Sequence, residues 1–212
     1  MKVYQEITLI PNDDIPPYAI WSKLYNQLHI ALADVANTHG IRTIGVAFPN
    51  YRYVERDGKT FATLGGRLRI FAPSRDELEK LNLVKWLDRL TDYVHIKAIA
   101  DVGERATGYV VVERQQRADL QKQAERFAEF KNLTVEQALE HCLAYKKQPK
   151  AYPFIELFSQ TNQVPYRLYV KQTVVDKAVD GEFTVYGMHN QGGAMTDKAT
   201  VPHWWLSLIV LK

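Results

Sequence analysis

The sequence predicts an α+β fold: an N-terminal βαββαβ unit followed by a β-rich C-terminal region that carries one polar helix. Three observations lead there. Two amphipathic stretches, near residues 18–36 and 74–90, are separated and flanked by short alternating apolar runs. After Gly103 the period changes to a polar helical stretch and then to alternation over 154–186. Finally, 212 residues at 46% hydrophobic content can bury a core, in one larger domain or two small ones.

Val3 to Ile10 alternates through Val3, Ile7 and Leu9 as a strand does, and stops at Pro11-Asn12-Asp13-Asp14. The helix Tyr18 to Ala36 follows, with Ile20, Leu24, Leu28, Ala31, Leu32 and Val35 on one face. Pro16 and Pro17 stand at its start, where a missing N–H costs nothing, and Gly40 ends it. His29 sits about 100° round the axis from Leu28, at the margin of the apolar face. Trp21, Tyr25 and His29 form one i, i+4, i+8 row along that margin. An imidazole so placed is held in orientation yet can meet a ligand. A lone histidine there is also an ordinary structural residue, so its partners decide.

Arg42 to Phe48 and Arg67 to Ala72 read as the next strands. Ser74 with Glu77 forms a capping box ahead of a second helix through Leu78, Leu81, Val84, Trp86, Leu87 and Leu90. Val94 to Val102 closes the set. This β-α-β-β-α-β order is the ferredoxin-like split unit, with one sheet face left free for a partner. The predicted domains are therefore 1–104, carrying His29, and 105–212.

In the second part, Tyr109 to Val112 is a short strand and a polar helix runs from about Arg114 to Lys131. Leu120, Ala124 and Phe127 form its narrow apolar stripe, with Arg117, Lys122 and Arg126 opposite. Thr134 with Gln137 opens another helix, on which Cys142 is a small core residue. Phe154 to Phe158, Tyr166 to Val175 and Phe183 to Tyr186 read as strands, with Asp180-Gly181 as a hairpin turn and Trp204 to Leu211 as a closing strand.

Composition excludes several classes. No run approaches the roughly eighteen apolar residues of a membrane span, and Gln5 and Glu6 interrupt any signal-like start. One cysteine allows no intrachain disulfide or thiolate cluster, so a cytoplasmic protein is expected. The formal charge is +3. Residues 1–104 and 151–212 each balance to zero, so the excess lies between Arg105 and Lys150, either a polyanion-binding region or a solvated helical face.

The informative constellation joins His29, the polar segment Ser159-Gln160-Thr161-Asn162 and the Tyr186-Gly187 pair. Hydroxyls and N–H groups crowding one loop suit ribose or phosphate contact, or equally a local Ser/Thr turn. These residues, in this order, resemble the type I-F CRISPR precursor-RNA processing endoribonucleases. The resemblance includes Leu28-His29 before Ala31-Leu32, Ile44-Gly45-Val46-Ala47-Phe48-Pro49, Gly66-Arg67-Leu68-Arg69-Ile70, Pro153-Phe154 leading to Ser159-Gln160, Arg167-Leu168 and Phe183-Thr184-Val185-Tyr186-Gly187.

The resemblance implies a ribonuclease needing neither metal nor cofactor, which cuts each CRISPR repeat at the 3′ base of its hairpin. It casts His29 as general base on the ribose 2′-OH, Ser159 as the clamp on that ribose and Tyr186 as the residue orienting the imidazole. Arg114 and Gln116 would read base edges, Arg117, Lys122 and Arg126 would follow the stem, and Tyr166 would stack at its foot. Gln160 and Thr161 would touch the sugar-phosphate chain. The enzyme would hold its hairpin product and join the backbone and other subunits of a surveillance complex. The rival reading is a non-catalytic RNA-hairpin-binding subunit.

Some features depart from that family. Gln121, Gln123, Glu125 and Glu129 replace much of the usual arginine run, which implies weaker stem binding. Tyr166 stands where phenylalanine is usual. The chain after Gly193 is longer, and its Trp204-Trp205 pair suggests an exposed surface for another subunit. His39, His95, His141 and His203 are expected to be structural or solvent-facing, and His189 is the one near enough to Tyr186-Gly187 to watch.

Overall fold

The computed structural model describes residues 1–115, 120–144, 151–159, 162–190 and 197–204. It is a mixed α/β structure whose sheets are antiparallel. The first part of the chain runs β1 (Val3–Leu9), α1 (Pro17–His39), β2 (Gly45–Ala47), β3 (Arg52–Arg56), β4 (Lys59–Thr63) and β5 (Arg67–Ala72). It continues through α2 (Arg75–Leu81), α3 (Leu83–Trp86), β6 (Val94–Ile96) and β7 (Ala100–Asp101). Then come β8 (Gly108–Gln115), α4 (Leu120–Lys131), α5 (Val135–Ala144), β9 (Phe154–Phe158), β10 (Pro165–Val175) and β11 (Val201–His203).

One sheet has the order β2-β5-β1-β6, with β7 also on β1, and a second has the order β11-β8-β10-β9. Helix α1 starts on Pro17 and stops at Gly40, whose φ of 68° allows its N–H to reach Ala36 O. Ser74 Oγ accepts from Glu77 N at 3.4 Å, the expected cap of α2. The second helix is shorter than its periodicity predicts. Asn82 turns left-handed at φ 46° and its side chain accepts from Lys85 N, so the segment breaks into α2, α3 and a 3₁₀ turn at Asp88–Leu90. The strand expected over Val94–Val102 is likewise split into β6 and β7.

The chain forms two compact units: 1–114 with 152–212, and 115–151. Residues 105–114, expected in the second part of the chain, fall in the first of these units. One continuous core holds Leu24, Leu28, Val46 and Ile70 together with Val110, Val112, Ile155, Leu168 and Phe183. Two polar ties reinforce it. The Gln172 side-chain amide pairs with both Phe48 N (2.8 Å) and Phe48 O (3.0 Å), and Val46 N donates to Gly187 O at 2.9 Å.

Buried Arg69 donates from Nε to Glu6 Oε2 at 2.8 Å, and Lys97 Nζ reaches Glu6 Oε1 at 2.7 Å. Burial alone would raise the Glu6 carboxyl, but these hydrogen bonds outweigh it and hold the group below its usual range. Trp204 is half-buried, with its ring 5.0 Å from that of Tyr4 and beneath the Arg69 guanidinium at 3.8 Å. Arg69 and Phe71 cover part of the ring, so Trp204 is less exposed than expected. Residues 205–212, which hold all of the expected closing strand but Trp204, lie outside the described residues.

In the second unit, Ala124, Ala128 and Ala138 pack α4 on α5, with Phe127, Leu139 and Cys142 around them. Thr134 and Gln137 exchange the two hydrogen bonds of a capping box, at 3.2 and 3.3 Å. Among the described residues no helix is long and apolar enough to cross a membrane.

Candidate active site

The row expected along the margin of α1 is mostly core. Trp21 and Tyr25 are buried, with Trp21 Nε1 donating to Gly65 O at 2.9 Å and the Tyr25 hydroxyl donating to Tyr186 O at 2.8 Å. Burial raises the Tyr25 phenol well above its ordinary value, so it stays a donor. One turn on, His29 comes to the half-buried edge. Its Nδ1 lies 3.0 Å from Val185 O; a carbonyl can only accept, so Nδ1 carries the proton and Nε2 is the basic nitrogen of the neutral ring. The Tyr186 ring stacks on the imidazole at 4.3 Å and 7°.

Residues 183–189 form a tight turn rather than the expected strand. Phe183 bridges His189, and Gly187 N donates to Thr184 O at 2.8 Å. Gly187 has φ +67°, and a Cβ there would come within 2.6 Å of Val46 Cγ1, so glycine is required twice over. The turn delivers the Val185 carbonyl and the Tyr186 ring to α1. The hairpin expected at Asp180-Gly181 does not form, because β10 ends at Val175 and 183–189 pairs with itself.

Ser159 follows β9. Its N–H donates to Val164 O (3.0 Å) and its carbonyl accepts from Gln163 N (2.8 Å), so the backbone is fixed by the connection to β10. Ser159 Oγ accepts from Asn162 N at 3.2 Å, the local Ser/Thr turn, which leaves the hydroxyl proton able to donate. Across the cleft the Tyr166 and Tyr186 hydroxyls meet at 2.8 Å, and burial followed by this bond raises the Tyr166 phenol. The Arg114 guanidinium carbon stands 5.8 Å from the Tyr166 ring and 5.6 Å from the Tyr186 ring.

These groups line one cleft of about 510 Å³, together with Asn26, Ile30 and Asn162. Among the described lining residues Arg114 is the only permanently charged side chain and none is a carboxylate. That is an anion's environment beside a basic imidazole nitrogen.

Of the residues singled out from sequence, His29, Ser159, Tyr186, Tyr166 and Arg114 meet in this cleft. Arg114 is not on the polar helix as expected. It is the penultimate residue of β8, which runs through Gln115. Arg126 is exposed on α4, in the other unit. Gln116, Arg117, Gln160 and Thr161 lie outside the described residues, as does the side chain of Lys122. Asn162, part of the polar segment noted in the sequence, lines the cleft as well. Asn26 escaped the sequence reading; it is three residues before His29, a helical spacing that could have found it. His189 is a buttress: its Nδ1 accepts from Ala199 N at 3.2 Å, and burial lowers its pKa. His141 stacks on Phe127 at 4.8 Å, and His203 is buried with its pKa lowered to about 4 by desolvation and then by Arg69.

Two relatives described as CRISPR-associated endonuclease Cas6/Csy4 are similar along most of the chain. The Pseudomonas aeruginosa (strain UCBPP-PA14) protein is 30% identical over 194 residues, covering 91% of this chain and 97% of its own. The Escherichia coli (strain UTI89 / UPEC) protein is 28% identical over 189 residues, covering 89% and 95%. A solved structure described as a Cas6-related gene from Pyrococcus furiosus covers 89% of this chain and 96% of its own. It is 12% identical to this chain, with a TM-score of 0.30. The family described as CRISPR-associated protein (Cas_Csy4) matches residues 4–204. That span takes in every residue that lines the cleft, and the chain belongs to this Cas_Csy4 family.

Proposed function

We propose that the chain is a metal-independent endoribonuclease that cuts CRISPR precursor RNA at the 3′ base of the repeat hairpin. The observation that carries this reading is the Val185 carbonyl on His29 Nδ1, which leaves Nε2 as a base in a cleft with no carboxylate among its described lining residues. Nε2 takes the proton of the ribose 2′-OH. The O2′–P bond then forms as P–O5′ breaks, and the departing oxygen is protonated, giving a 2′,3′-cyclic phosphate and a 5′-OH. The nucleophile belongs to the RNA, so no metal-bound hydroxide is required. The imidazolium formed meanwhile is favoured by the Val185 carbonyl and by the Tyr186 π-face.

Ser159 donates its hydroxyl proton to the ribose and helps bring O2′ in line, which lowers the entropic part of the barrier. Arg114 and Gln116 read base edges, as a guanidinium and an amide suit guanine and adenine. Arg117, Lys122 and Arg126 neutralise stem phosphates, Gln160 and Thr161 hold the sugar-phosphate chain, and Tyr166 stacks at the foot of the stem. Residues 1–104 supply the catalytic histidine from a ferredoxin-like unit, a reading supported by the order β2-β5-β1-β6. Residues 105–212 supply the RNA-reading side chains. The hairpin product stays bound, and the protein joins a surveillance complex through it.

The test is a repeat hairpin incubated in EDTA with wild type and with His29→Ala. Wild type should cleave and leave a cyclic-phosphate mass. The variant should bind as tightly but cut more slowly by about 10²–10⁴-fold. Binding without wild-type cleavage would make the protein a hairpin-binding subunit, and loss of cleavage in EDTA would refute metal independence.

A further inference from the structure

The reaction leaves unused a groove of about 650 Å³ between α1 and the segment formed by α3 and its 3₁₀ turn. Asn26 and Ile30 line both this groove and the active-site cleft, so the two are continuous along one strip of α1. Lys23, Lys85 and Arg89 face the groove against a single acid, Asp88. All three cations are exposed, and among the described residues none of them enters an ion pair. Residues 1–104 balance to zero charge, so this local excess is made by folding.

Between the cations lies Trp86, half-buried and packed on the core, with Lys85 Nζ 5.9 Å from its ring. A fixed, partly open indole among unpaired cations and the amides of Asn26 and Gln27 has the chemistry of a single-stranded nucleic-acid track. Phosphates lie on the cations and a base lies on the aromatic face. In the endoribonuclease reading the stem lies on the 5′ side of the cut, and the strand continuing on the 3′ side must leave the cleft. The groove is the basic path that opens from it. We infer that the groove holds single-stranded RNA immediately 3′ of the scissile phosphate. The inference rests on the proposed activity and adds to it a subsite for the departing strand.

The probe is a repeat hairpin with a 2′-deoxy sugar at the attacking position, with and without a 3′ tail of about eight uridines. The tail should tighten binding to wild type about tenfold, within the range of one stacked base and a few phosphates. The triple variant Lys23→Glu, Lys85→Glu, Arg89→Glu should lose that gain, and its tail-dependent salt slope should be shallower by about 2. It should still cut the tail-less ribose hairpin at the wild-type rate, which shows that it is folded. Equal affinity with and without the tail, a gain retained by the variant, or the same gain from a 5′ tail would each overturn the subsite. Failure of wild type to cut the tail-less hairpin would instead remove the activity itself.

Discussion

Tyr166 and Tyr186 join their hydroxyls at 2.8 Å, and Tyr186 in turn stacks on His29. The hydroxyl that distinguishes tyrosine from phenylalanine at position 166 therefore acts on the imidazole through its neighbour. Tyr166→Phe should slow cleavage by about two- to tenfold, the value of one hydrogen bond. Tyr186→Phe should do the same, and the double variant should be no slower than either, which single-turnover kinetics on the four proteins would check. His203 makes a different prediction. Its folded pKa of about 4 lies below the unfolded value near 6.5, so between them the unfolded chain binds a proton that the folded chain refuses. Its contribution is complete above about pH 6.5 and is lost toward pH 4, roughly 3 kcal/mol at most. Thermal melts should show Tm falling through that window, and His203→Gln should flatten the fall.

Among elements, the 183–189 turn matters most to the site, because it carries both partners of the imidazole. Gly187→Ala combines a positive φ with a 2.6 Å approach to Val46, so it should destabilise by about 1–3 kcal/mol. Cleavage should fall further than hairpin binding, since the turn moves His29's partners; denaturant melts and binding on one preparation would separate the two. Element type was legible wherever one face is buried. α1 and β5 lie almost where periodicity puts them, and both expected caps form. The β3–β4 hairpin went unread because both strands are largely exposed and do not alternate. Its Asp57-Gly58 turn, both residues at positive φ, was the available signal. The 183–189 turn was unreadable for the opposite reason: Phe183 and Val185 alternate as a strand would, and only contact with β2 and α1 bends them.

On the scale of the molecule, residues 1–104 share one core with strands that follow them. Gly45 lies so close to Phe183 and Val201 that a Cβ would meet them at 2.7 and 2.6 Å, and Phe48 is paired through Gln172. A 1–104 fragment should therefore lack a cooperative thermal transition and show poorly dispersed amide NMR signals, whereas the full chain should melt cooperatively. The cleft belongs to the unit 1–114 with 152–212, and the basic excess of residues 105–150 lies largely in the other. Cleavage chemistry and general stem affinity should thus be separable by mutation.

Sequence by itself determined the helices, most strands, their caps, and the placing of His29 beside a buried face, because each follows from spacings of two to four residues. The ordered motifs also brought Ser159 and Tyr186 to notice. Tertiary structure alone decided which imidazole nitrogen is basic, that Tyr166 holds Tyr186, that Arg114 lies in a strand, and that three cations surround Trp86. The His29–Val185 bond spans 156 residues, and no local period encodes a contact whose geometry depends on the packing of everything between.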